Sequence, residues 1–264
     1  MTTLQTVFAK AKADDRAALI GYLPAGFPTK EGAVAAAAAM VEAGCDVIEI
    51  GLPYSDPLMD GPTIQDAVHR SLTGGTRIAD VMRTVEGVAG TGAATLVMTY
   101  WNPVDRYGAD RFARDLANAG GVGTITPDLT PEEAGPWCEA SAAAGIDTTF
   151  LVAPSSTEAR IKAVAACCTG FVYAASLMGV TGARETVGEA ARGLVERTRP
   201  HTGLPVCVGL GVGTGRQAAE VARYADGVIV GSAFIRRLLD APDETSGLAA
   251  VRELAAELAV GVRA

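Results

Sequence analysis

The segment Asp46-Val47-Ile48-Glu49-Ile50-Gly51-Leu52-Pro53-Tyr54-Ser55-Asp56-Pro57-Leu58-Met59-Asp60-Gly61-Pro62 concentrates acids where chemistry can use them. Its first half is a short β-branched run bounded by Gly and Pro, the pattern of a buried strand. Side chains alternate along a strand, so Val47, Glu49 and Gly51 share one face and Ile48 and Ile50 the other. An acid on a buried face near a strand's C-terminal end is costly unless it is paired or used. Asp60 follows on a Pro-braced loop, and Gly61-Pro62 opens a helix. A strand-end acid beside a loop acid suits acid/base catalysis. Each also has a structural reading: Glu49 paired with a buried arginine, Asp60 capping the helix that begins near Thr63.

Other chemistries lack their residues. Schiff-base catalysis needs a lysine at a strand end, and Lys10, Lys12, Lys30 and Lys162 all fall elsewhere. Metal-assisted chemistry needs clustered ligands. His69 falls in a helix after the second loop and His201 before a strand, so no metal site is expected. No Ser, His and acid constellation or G-x-S-x-G elbow occurs. An anion grip is expected late in the chain. Gly209-Leu210-Gly211-Val212-Gly213-Thr214-Gly215 fails as a dinucleotide fingerprint but suits a phosphate-binding turn. Gly231-Ser232 begins another helix, and Gly179-Val180-Thr181-Gly182 lies in a long loop. Glycines let backbone N–H groups approach an anion, and a helix N-terminus favours it.

The elements that must hold these residues alternate. Strands are predicted at Ala18–Leu23, Asp46–Gly51, Ala94–Tyr100, Val122–Thr126, Thr148–Val152, Gly170–Ala174, Pro205–Gly209 and Asp226–Gly231, with a short amphipathic helix over residues 2–13 before them. Between the strands, Ala-rich helical patterns cover Lys30–Ala43, Ile78–Val88, Ala109–Ala119, Pro131–Ala143, Ser156–Ala166, Gly188–Arg199 and Thr214–Arg223. Helices near Ala233–Leu239 and Gly247–Val260 follow. Continuous apolar strands alternating with helices indicate a parallel sheet covered by helices. The count, the 264-residue length and the absence of a composition break favour a single α/β domain, residues 1–264, folded as a (β/α)8 (TIM) barrel with an extra N-terminal helix. An open doubly wound sheet is the alternative. In such a barrel every motif above falls on loops after the strands' C-terminal ends, where active sites lie.

Composition narrows the partners. The net charge of −8 and pI near 4.9 argue against nucleic acid and anionic membranes. No basic n-region precedes an apolar segment at the N-terminus, so a cytoplasmic protein is expected. The five cysteines show no C-x-x-C spacing and are expected to be reduced. The uncharged run between Lys162 and Arg184 is broken by glycines and reads as helix end, strand and loop, not as a membrane span.

Glu49-Ile50-Gly51-Leu52-Pro53-Tyr54-Ser55-Asp56-Pro57-Leu58-Met59-Asp60-Gly61-Pro62-Thr63-Ile64-Gln65 closely resembles the signature of the tryptophan synthase α subunits, and the resemblance extends over essentially the whole chain. It implies retro-aldol cleavage of indole-3-glycerol phosphate to indole and glyceraldehyde 3-phosphate, with Glu49 as acid and base and Asp60 ionised against the indole N1–H. It places Tyr173 beside the reacting centre and counts Tyr22 and Tyr100 among the substrate-binding residues, and Asn102 and Asp128 also match the family. Gly182, Gly211, Gly231 and Ser232 match its phosphate cradle, and Thr181 matches a residue that closes over Asp60. From the sequence pattern alone, Tyr173 reads equally as core packing. The resemblance further implies an α2β2 assembly that passes indole to a β subunit carrying pyridoxal phosphate, with no cofactor in this chain. Pro53, Asp56 and Asn102 match the partner face. Two positions depart from the family: Val122 where Asp is frequent and Leu177 where Arg is often found. A free-standing indole-3-glycerol-phosphate lyase and a weakly active barrel that mainly activates a β chain are the other functional readings.

Overall fold

The computed structural model describes residues 3–175, 184–209 and 211–264. It begins with helix α1 (Leu4–Ala13), held at its start by a reciprocal Thr3–Thr6 capping box. The strands are β1 (Ala18–Pro24), β2 (Val47–Gly51), β3 (Ala94–Met98), β4 (Gly123–Ile125), β5 in two pieces (Asp147–Thr149 and Leu151–Val152), β6 (Val172–Ala175), β7 (Val206–Gly209) and β8 (Gly227–Val230). All described pairings are parallel, and β1 lies between β2 and β8. The nine hydrogen-bonded segments run in one order whose ends are the two pieces of β5. Phe150 alone separates those pieces, so the sheet closes into a barrel of eight strands. Across the break Thr126 N–H donates to the Thr149 carbonyl at 3.2 Å and Tyr173 N–H to the Phe150 carbonyl at 3.1 Å. The Phe150 amide itself donates to the buried Cys168 thiol at 3.3 Å, which takes it out of the ladder.

The helices that cover the sheet are α2 (Lys30–Glu42), α3 (Pro62–Thr73), α4 (Ile78–Ala89), α5 (Trp101–Tyr107), α6 (Ala109–Asn118), α7 (Gly135–Ala144), α8 (Glu158–Cys167), α9 (Arg184–Thr198), α10 (Gly215–Ala222), α11 (Ser232–Leu239) and α12 (Glu244–Gly261). α7 starts four residues later than its apolar pattern predicts. Glu133 N–H closes a turn on the Thr130 carbonyl first, and Pro136, which has no N–H to give, sits in the helix's opening turn. α5 escapes periodicity because it is seven residues long and carries Pro103.

Strand alternation builds two apolar layers. Outward residues such as Leu19, Ile48, Ile50 and Val97 pack under the helices, while Ala18, Ile20, Val47, Leu96, Ile125, Phe171, Cys207 and Ile229 fill the barrel. α1 plugs the N-terminal end with Leu4, Val7, Phe8 and Ala11, Phe8 meeting Phe171 edge-on at 5.8 Å. At that closed end Arg16 forks onto Asp46 at 2.7 and 2.8 Å and ties the start of β2 to the β1 entrance. Filling one end leaves the inward side chains near the opposite, C-terminal ends of the strands to line a mouth. No described helix is long and apolar enough to cross a membrane. All five cysteines are free.

Candidate active site

Glu49 is the third residue of β2, paired in register with Tyr22 on β1 and Leu96 on β3. Following Val47, it points into the barrel. It is 1 % exposed, and its Oε1 has no hydrogen-bond partner among the described residues. The buried-arginine reading of Glu49 therefore finds no support there. Burial raises its pKa from the ordinary 4.5 to about 8, so the carboxyl is held mostly protonated at neutral pH.

That shift has a stability consequence. Below about pH 4.5 the folded and unfolded chains both carry the proton, and the neutral carboxyl costs nothing extra. Between about 4.5 and 8 the unfolded chain releases it while the folded chain keeps it, so stability falls as pH rises through this window. Glu49→Gln removes the penalty. Urea midpoints are expected to show the Gln variant gaining on wild type between pH 5 and 8.5; an equal difference at both pH values refutes a buried neutral Glu49.

Asp60 sits half-buried on the loop after β2. The cap of α3 is Gly61 and has no side-chain hydrogen bond, so Asp60 does not serve as the helix cap. Its carboxylate instead accepts the Tyr100 hydroxyl at 3.2 Å, and its carbonyl accepts Gln65 Nε2 at 2.8 Å. Burial pushes the Asp60 carboxyl up, and the Tyr100 hydroxyl draws it back down.

Three buried or nearly buried phenols complete the mouth. Tyr22 feels the charges of both Asp60 and Glu49, Tyr173 that of Glu49 and Tyr100 that of Asp60; burial and these acids push all three phenols up. Tyr22, Glu49, Asp60, Tyr100 and Tyr173 thus gather at one end of the barrel. Two glycines permit the arrangement: a Cβ at Gly51 would collide with the Tyr22 hydroxyl, and one at Gly209 with the Tyr173 hydroxyl. The Gly209 role is not apparent from a sequence pattern that suggests a phosphate turn. Nothing in the sequence pattern marks Tyr54 either; it tilts against Tyr100 at 5.5 Å, and its hydroxyl accepts Asn102 Nδ2 at 3.1 Å.

The glycine-rich turn after β7 is partly committed. Gly213 N–H donates to Gln217 Oε1 at 2.9 Å and Gly215 N–H to Glu257 Oε1 at 2.7 Å, while Thr214 caps α10. Gly211, exposed and at φ +62°, is left at the surface of this turn. α11 differs, because its cap Gly231 offers no side chain and no described group accepts the Ser232 or Ala233 amide. Gly231 stands beside the Tyr22 ring, 3.1 Å from where its Cβ would be, so this helix start borders the acid-lined mouth. Thr181, Gly182 and Leu177 lie outside the described residues. Val122 is half-buried and packs against the barrel interior. His69 is exposed on α3, and His201 pairs with Glu158 at 2.9 Å. Among the described residues no three His, Cys, Asp or Glu side chains cluster as metal ligands.

A closed parallel barrel with its acids and phenols collected at the C-terminal mouth is a (β/α)8-barrel enzyme. The chain belongs to the tryptophan synthase α chain family, whose model matches residues 8–263. The tryptophan synthase α chain of Thermobifida fusca is 61% identical over all of this chain and 99% of its own length. That of Salinispora tropica is also 61% identical, over all of this chain and 98% of its own. Tryptophan synthase of Mycobacterium tuberculosis superposes with a TM-score of 0.92 at 54% identity, both chains covered in full.

Proposed function

We propose that this chain performs the α reaction of tryptophan synthase, cleaving indole-3-glycerol phosphate to indole and glyceraldehyde 3-phosphate. The observation that carries the reading is Glu49: an inward, buried carboxyl whose Oε1 has no partner among the described residues, held mostly protonated near neutral pH at the same mouth as Asp60. Glu49 gives its proton to indole C3, making the ring an electron-poor indoleninium. The carboxylate it becomes takes the proton of the neighbouring side-chain hydroxyl. The C–C bond electrons then return to the ring, releasing indole and an aldehyde, with Glu49 protonated again. Asp60 accepts the indole N1–H and stabilises the positive charge that develops there. The protonated indole is the electron sink, so the step requires neither an amine nor a metal. Tyr22 and Tyr173 flank the ring, and Tyr100 also holds Asp60.

The phosphate is assigned to the start of α11, at Gly231 and Ser232, together with Gly211 and Gly182. Thr181, outside the described residues, is a further substrate-site residue on this reading. Residues 1–264 act as one cytoplasmic barrel, and indole passes to a β subunit of an α2β2 assembly that supplies pyridoxal phosphate. Pro53, Asp56 and Asn102 form part of the partner face. The test is indole release from indole-3-glycerol phosphate with and without a β subunit. Strong activation by the partner supports this reading; full activity without it indicates a free-standing lyase, and none in either case indicates a barrel that only activates its partner.

A second measurement isolates the anion grip. Gly211→Asp places a carboxylate beside the expected phosphate at a left-handed position that Asp tolerates better than most residues. KM is expected to rise at least about tenfold by charge repulsion while the urea midpoint moves little. An unchanged KM removes Gly211 from the phosphate site.

A further inference from the structure

Asp60 is held by Tyr100, and Tyr100 is itself held from the neighbouring strand. Its hydroxyl donates to Asp60 at 3.2 Å and accepts the Met59 amide at 3.0 Å, fixing two consecutive residues of the loop. The residues flanking Tyr100 are both tied down. Thr99 N–H donates to the Ile125 carbonyl of β4 at 3.0 Å, and the Thr99 hydroxyl donates to the Tyr100 carbonyl at 2.9 Å. Trp101 N–H donates to both carboxylate oxygens of Asp128, at 2.9 and 3.0 Å, while the Trp101 ring meets Trp137 edge-on at 5.9 Å. The Asp128 carboxylate thus grips the amide that immediately follows Tyr100.

Taking the proposed role of Asp60 as given, we infer that Asp128 is a positioning residue for the reaction, acting on Asp60 through the Trp101 amide and the Tyr100 hydroxyl. Asp128 touches neither Asp60 nor Glu49 by any described hydrogen bond. A charge-assisted bond to a backbone amide is strong and directional, and the phenol ring amplifies a small backbone turn at Tyr100 into a larger displacement of its hydroxyl. Loss of the grip lets the Asp60 loop drift from the developing charge, and such misplacement lowers the rate of the chemical step.

A double-mutant cycle on the full chain without a β subunit tests this, since a role at the partner face would not appear there. Asp128→Ala is expected to lower kcat for indole release about tenfold with KM nearly unchanged. Asp128→Asn, which retains one neutral oxygen acceptor, restores most of the rate. In a Tyr100→Phe background Asp128→Ala changes kcat little further, because the group it acts through is gone. Effects that multiply independently, or an unchanged kcat for Asp128→Ala, overturn the inference. Should Asp128→Ala lose the fold, Asp128→Asn carries the same cycle with a smaller drop. Asp60→Asn is run alongside. Full activity there defeats the reading of the site itself, whereas a crippled Asp60→Asn with an independent cycle defeats only the role of Asp128.

Discussion

Glu49→Gln is expected to reduce indole release at least about a thousandfold while leaving substrate binding within about threefold of wild type. Glutamine keeps the size and planarity of the side chain, and no ion pair to Glu49 is found among the described residues. What it cannot do is deliver a proton to carbon and then remove one from oxygen. Both transfers fall to Glu49 in the proposed cycle, so both are lost together. Single-turnover cleavage and equilibrium substrate binding, measured on the same preparation, separate chemistry from affinity. Near-normal turnover would mean that another group moves the protons. A folded variant that no longer binds substrate would make Glu49 a binding residue only. The same variant should be the more stable protein at alkaline pH, for the reason that makes the native carboxyl a proton donor: burial without a counter-charge. Loss of activity with gain of stability is the signature of a functional group kept at a cost.

The barrel was legible because its strands are buried on both faces, and a run such as Val47–Gly51 has few other interpretations. Alternation along that run also grouped Glu49 with Val47 and Gly51 on one buried face, without saying which face lines the barrel. Less legible were features that depend on what lies across a strand boundary. Phe150 interrupts β5 because the Cys168 thiol, eighteen residues away, takes its amide. Gly209 looks like any turn glycine until the Tyr173 hydroxyl is found where its side chain would be. The Gly209–Gly215 turn suggested an anion cradle, yet the amides of Gly213 and Gly215 are occupied by Gln217 and by Glu257 of the last helix. Spacing can show that N–H groups are available in a glycine turn. It cannot show which side chain arrives from forty residues away to use them.

Asp60→Asn is expected to lower kcat about a hundredfold or more, with a smaller change in KM. Asparagine can still accept the indole N1–H through its amide oxygen, so the ground-state contact survives in shape. The charge does not. Positive charge appears on the ring only as C3 takes its proton, so a carboxylate facing N1 contributes mainly in the transition state. Half-burial matters here, because the attraction between Asp60 and the indoleninium is less screened than it would be on an open loop. Burial also works against Asp60, pushing its carboxyl up towards the neutral form. The Tyr100 hydroxyl opposes that drift by bonding the ionised oxygen, so Tyr100→Phe should let the Asp60 carboxyl rise and displace the acid limb of kcat to higher pH. In Asp60→Asn this limb should be absent from the profile, leaving only the ionisation of Glu49. A pH–rate profile for Asp60→Asn that merely scales the native one would show that the Asp60 charge does not serve the chemical step.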